Sequence, residues 1–97
     1  MRIVYHPKVY TDLSAIMQYY EEVATAALAD EFYREFKLAV KEAARRPESF
    51  RIRARDIRRG NLSRFPFHFL FRIVDDSIRI LVVRHHKRHP SLGIRRR

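Results

Sequence analysis

Apolar and polar side chains alternate through the stretch that begins at Phe67. Phe67, Phe69, Phe71 and Ile73 fall on one side, and His68, Leu70, Arg72 and Val74 on the other. A period of two is that of a β-strand. After Asp75-Asp76 a second run, Ser77 to His86, is rich in Ile, Leu and Val, and a two-residue loop makes the pair a hairpin. In that register Ile73 faces Ile78, Phe71 faces Ile80 and Phe69 faces Val82, so the aromatic rings share one face with β-branched partners. The other face then pairs Leu70 with Leu81, His68 with Val83 and Arg72 with Arg79. A slip of one residue would scatter the aromatics over both faces, so the pattern specifies its own register.

Helical periods precede this hairpin. Arg2-Ile3-Val4-Tyr5 reads as a short strand ended by His6-Pro7, and proline suits the first turn of a helix. Val9, Leu13, Ile16, Met17 and Tyr20 have amphipathic spacing, which places a helix at about residues 7 to 22. Thr25 is an N-cap for a second helix, whose stripe is Leu28, Phe32, Phe36, Ala39, Val40 and Ala43. Arg45 and Arg46 suit its last turn and Pro47 stops it. The short break at Val23-Ala24 makes the two helices an antiparallel hairpin. Ser49 to Arg64 is less patterned; Ile57 to Arg64 reads as a strand, with Gly60-Asn61 as a bulge or turn. The expected fold is α+β in two layers: an N-terminal strand, a helical hairpin, then a three-stranded antiparallel sheet whose phenylalanine face lies under the helices. Residues 1–90 form the domain, and 91–97 a poorly ordered basic tail.

Composition adds the charge. The chain has 97 residues with 21 Lys and Arg against 11 Asp and Glu, a net of +10, and no cysteine. Residues 45–97 hold sixteen of the basic and four of the acidic side chains, so the second half carries the excess. A small domain this basic meets a polyanion or an acidic protein segment. With no cysteine there is no disulfide or thiol chemistry. No stretch has the length of a transmembrane span and no signal-peptide pattern opens the chain, so the cytoplasm is expected. Neither a cofactor nor a metal site is expected.

The order of these elements, the hairpin beginning at His6-Pro7, the Phe65-Pro66-Phe67 segment and the run from Val83 through Arg84, His85 and Arg88 to Pro90 resemble the RelE/ParE superfamily. These are toxins of bacterial type II toxin–antitoxin systems, often labelled plasmid stabilisation proteins, and the resemblance covers about residues 2 to 90. Asp12-Leu13, Tyr19-Tyr20 and Arg58-Arg59 fall within it. The chain departs from the pattern at His89, where an acidic residue is usual, at Arg84, where an aliphatic one is usual, and in having no tryptophan.

The resemblance implies a growth-inhibiting toxin held in check by a cognate antitoxin, in a toxin–antitoxin hetero-oligomer. It offers two chemistries. ParE-like members resemble inhibitors of DNA gyrase and need a binding surface. RelE-like members resemble ribosome-dependent mRNA interferases, whose endoribonuclease chemistry needs an acid, a base and a phosphate clamp. For the second, His85, Arg88, Arg72 and Arg79 are the candidate catalytic set. Adjacent residues point to opposite sides of a strand, so His85 and His86 do not serve one site together. Tyrosine is absent after Tyr33 and Lys87 is the sole lysine after Lys41, which favours the ParE-like branch. The antitoxin is then expected to pack across the helical hairpin and onto a bare sheet face at Leu70, Leu81 and Val83, with Arg58 and Arg59. Arg51, Arg53, Arg55, Arg64, His86 and Lys87 are candidates for target or nucleic-acid contact. A solvated outer face is the plainer reading, and a basic RNA-binding module without toxicity a third.

Overall fold

The computed structural model describes residues 1–97 as five strands and two helices: β1 (Arg2–Tyr5), α1 (Lys8–Val23), α2 (Ala26–Arg45), a 3₁₀ turn at Pro47–Ser49, β2 (Ile52–Ala54), β3 (Ile57–Asn61), β4 (Phe67–Val74) and β5 (Ser77–His85). The strands form one sheet in the order β1-β5-β4-β3-β2. β1 runs parallel to β5 and the other pairings are antiparallel. The expected α+β architecture is therefore present with one more strand, β2, and with β1 built into the sheet.

The ends of the elements follow from local chemistry. His6 Nδ1 accepts the Lys8 N–H at 3.1 Å, so the residue before Pro7 satisfies an orphan donor of the first turn of α1. Thr25 Oγ1 accepts from the Leu28 N–H at 3.0 Å, the expected cap of α2. The buried stripe of α2 is Ala29, Phe32, Phe36, Val40, Ala43 and Ala44. It meets Phe67, Phe69, Phe71, Ile78 and Ile80 from the sheet, and Leu62 and Phe65 from the β3–β4 connection. Aromatic rings meet edge to face across the layers, Phe36 with Phe69 at 5.9 Å and Phe32 with Phe67 at 5.4 Å between centroids. Glu35 fastens that connection to α2 by accepting the Ser63 and Arg64 N–H groups at 2.7 and 3.2 Å.

The hairpin register holds only halfway. Ile73 faces Ile78, Arg72 faces Arg79 and Phe71 faces Ile80 as expected, but beyond them the ladder shifts. Leu70 pairs with Val82, Phe69 with Val83, His68 with Arg84 and Phe67 with His85. Leu81 is an extra residue on β5, a β-bulge. Val83 consequently joins the helix-side core with Phe69, while Leu81 and Val82 both lie with Leu70 on the other side.

That other side is not bare. Leu70, Leu81 and Val83 are 2, 0 and 3 % exposed, so the expected open apolar surface is absent. Val83 is buried under the helices, and Leu70, Leu81, Val82 and Ile57 form a second small cluster against which Ile94 packs. The last residues are the cover. Gly93 takes a left-handed φ of 81° and lies against Val82, so close that a Cβ would fall 2.5 Å from the valine side chain. Arg84, on β5, donates through Nη1 to the carbonyls of Pro90 and Leu92 at 2.8 and 2.7 Å. Arg96 donates to Asp12 Oδ2 of α1 at 2.6 Å and to the Leu81 carbonyl at 3.1 Å. The same Asp12 oxygen accepts the Val83 N–H at 3.1 Å. Beyond Ile80, β5 has outrun β1, and Asp12 with Arg96 satisfies backbone groups that β1 no longer reaches. The tail is a packed part of the fold rather than a loose end.

Candidate functional site

A hollow of about 220 Å³ opens on the tail side of the sheet, between β2, β3, the C-terminal half of β5 and the turn after it. Its polar lining is Arg53, Arg59, Arg84, Arg88, His68 and His86, and its apolar lining is Ala54, Ile57, Leu70, Pro90 and Ile94. β2 and β3 bring Arg53 and Arg59, β4 brings His68, and β5 with its following turn brings Arg84, His86 and Arg88. The bulge sets this composition: without the shift, Val83 rather than Arg84 would lie across from His68.

The polar groups of the hollow are chained. Arg84 Nε donates to His68 Nε2 at 2.8 Å, which leaves the proton of a neutral His68 on Nδ1. His68 Nδ1 lies 2.9 Å from His86 Nδ1, the two rings 10° from parallel. His86 Nδ1 is therefore the acceptor, and Arg59 Nη2 approaches the same atom at 3.3 Å. Arg59 Nε is held by Asn61 Oδ1 at 2.8 Å. His68 is 1 % exposed, and burial, then the nearby Arg59 and Arg84 charges, lower its pKa to about 3. Burial and Arg59 also lower His86. Both rings are uncharged at neutral pH, and the arginines carry the charge. Burial, with Arg53 for Arg59 and with Arg59 for Arg84, makes these guanidiniums less basic than usual. No carboxylate lines the hollow. The arrangement offers guanidinium donors and neutral imidazoles to an anion.

The residues singled out from sequence are dispersed. His85 packs edge-on against Phe67, on the helix side of the sheet, and its Nδ1 accepts the Lys87 N–H at 3.0 Å. Arg88 and His86 line the hollow on the opposite side. Arg72 pairs with Asp56 at 3.4 Å and faces a neighbouring groove. Arg79 lies across the ladder from Arg72 and lines neither cavity. His85, Arg88, Arg72 and Arg79 thus form no common site. Arg58 is occupied structurally, donating to the Phe50 carbonyl at 2.8 Å, whereas Arg59 and Arg53 join the hollow. Arg55 belongs to the neighbouring groove. Arg64 turns back to Glu31 of α2 at 3.2 Å, and Arg51 and Lys87 are exposed. Arg84 and His68 are the central residues, to which sequence assigns no site role: Arg84 is only a departure from the family pattern, and His68 only a neighbour of the candidate catalytic set. The signals were there: an arginine where an aliphatic residue is usual, and a histidine within a run of phenylalanines.

The comparisons with known proteins agree with this architecture. A family model described as the ParE toxin of the type II toxin–antitoxin system, parDE, matches residues 3–90. Among solved structures, a chain of the chromosomal ParDE toxin–antitoxin system from P. aeruginosa superposes with a TM-score of 0.79 at 23 % identity, covering 88 % of this chain and 95 % of that one. At that identity the likeness shows the fold. A comparison with curated protein sequences gave no match. With the family model spanning most of the sequence, the chain belongs to the ParE toxin family of type II toxin–antitoxin systems.

Proposed function

We propose that the protein arrests growth by inhibiting DNA gyrase and is neutralised in the cytoplasm by a cognate antitoxin. The family match over residues 3–90 carries this reading. The dispersal of His85, Arg88, Arg72 and Arg79 supports it against the interferase alternative, which needs an acid, a base and a phosphate clamp within reach of one another. Because Leu70, Leu81 and Val83 are buried, the sheet part of the expected antitoxin surface falls away and the helical hairpin is left. There Tyr10, Tyr19, Val23, Tyr33 and Leu38 are all at least 40 % exposed. An amphipathic segment that orders on binding covers such a surface well. The test is supercoiling by purified gyrase with added toxin, expected to fall and to recover with stoichiometric antitoxin. Cleavage of mRNA in the ribosomal A site, with supercoiling unaffected, would overturn the reading.

A further inference from the structure

The tail side of the sheet carries positive charge that the chain does little to offset. Beside the hollow at Arg84 lies a second, larger one of about 810 Å³, bordered by Arg55, Arg72, Arg95, Arg96 and Arg97. The two share Ala54, Ile57 and Ile94, so they are neighbours across one apolar ridge. No Asp or Glu lines either. Of the nine arginines around them, only Arg72 and Arg96 make an ion pair. Gathering like charges is unfavourable unless something opposite completes the site.

Two donors point the same way. Arg84 is 8 % exposed; its Nε and Nη1 are used within the chain, while Nη2 has no partner there and stays open to the hollow. Arg72 Nε is buried and unpartnered beside the larger hollow, as is Arg79 Nε across the ladder from it. An open guanidinium nitrogen and a buried donor without an acceptor each leave a place for an incoming anion. Guanidinium forks suit phosphate oxygens, which they bind in pairs.

We propose that this face binds a single strand of nucleic acid, with one backbone phosphate among Arg53, Arg59, Arg84 and Arg88, and another across Ile94 at Arg55 and Arg72. Two adjacent basic hollows fit a chain of phosphates better than one isolated anion. The ridge of Ala54 and Ile94, with Pro90 beside it, gives an unstacked base an apolar surface, as in other strand-binding grooves. The smaller hollow admits a phosphate or a base but no duplex. The binding does not depend on gyrase being the toxin's target.

The experiment is fluorescence anisotropy of the full-length protein with labelled single-stranded DNA and RNA of about twelve nucleotides, a length within the usual site sizes. Binding is expected to weaken steeply with salt. Arg53 and Arg88 are exposed and their side chains make no hydrogen bond in the chain, so Arg53→Gln/Arg88→Gln should fold normally, as circular dichroism would verify. It should bind about tenfold more weakly, and its salt slope should fall by about two, one for each lost phosphate contact. Arg2→Gln/Arg34→Gln, removing the same charge from β1 and α2, should change neither. Equal weakening by both pairs would mean diffuse attraction and would overturn the site. So would inorganic pyrophosphate binding as tightly as the strand, or a polyglutamate peptide displacing it at equal concentration, which would make the ligand a free anion or an acidic protein segment. Inhibition of supercoiling is measured separately, so failure of this site and failure of the gyrase reading are told apart.

Discussion

Gly60 lies in the middle of β3, directly across from Phe69, whose ring occupies the space a side chain would fill. A Cβ there would fall 2.3 Å from the ring. Gly60→Ala should therefore cost about 1–3 kcal/mol through overpacking, read as a lower denaturant midpoint. Sequence suggests a bulge or turn at this glycine. The residue marks either backbone freedom or close approach, and only the partner strand decides which. His68 gives the second expectation at this scale. Its folded pKa lies near 3, below the unfolded value of about 6.5. The unfolded chain takes up the proton first, so the stabilisation is complete above about pH 6.5 and is lost as pH falls towards 3. The slope contributed by this one group is at most about 1.4 kcal/mol per pH unit. His68→Gln keeps an acceptor for Arg84 without titrating, and should flatten urea-unfolding stability against pH in that window.

Among the elements, those with strong local chemistry were legible and those without were not. Thr25 announced α2, and Thr25→Ala should cost about 1 kcal/mol, measured by thermal unfolding. The Asp75-Asp76 loop has two residues, as its place between the two apolar runs suggests, with Asp75 left-handed at φ 54°. It has a counterpart without such a signal. Arg55-Asp56 joins β2 to β3 in the same way, with Arg55 at φ 52°, but an arginine at a left-handed position carries no turn signal, and the dense arginines hide the alternation of so short a strand. L-residues are strained in that conformation and glycine is not. Arg55→Gly should accordingly raise stability by about 0.5 kcal/mol, visible as a higher denaturant midpoint. The bulge in β5 was invisible for a different reason. Ile80, Leu81, Val82 and Val83 are all apolar, so a shift by one leaves the hydrophobic pattern unchanged, and only the positions of Arg84 and His86 record it.

Across the whole molecule, the layer under the helices could be read from sequence and the layer on the other side could not. Ser91 to Arg97 has only Leu92 and Ile94 among its large apolar residues, too little for local pattern to suggest a cover. The contacts that make it a cover are long-range: Ile94 on the cluster at Leu70, and Arg96 on Asp12 across 84 residues of chain. Both partners of that ion pair are 15 % exposed, and an unpaired charge in such a place is costly. Asp12→Asn should lower stability by about 3 kcal/mol and increase the fluorescence of a hydrophobic dye as Leu70, Leu81 and Val82 lose their cover. The doubled position at Leu81 has a consequence for how this gene tolerates change. Because β5 already contains one residue more than its neighbour can match, losing a single codon near Leu81 would regularise the strand and keep Arg84 opposite His68. Gaining one there has no such slack to draw on. Length variation at this point should therefore run toward shorter strands, at the expense of the outer cluster but not of the arginine hollow.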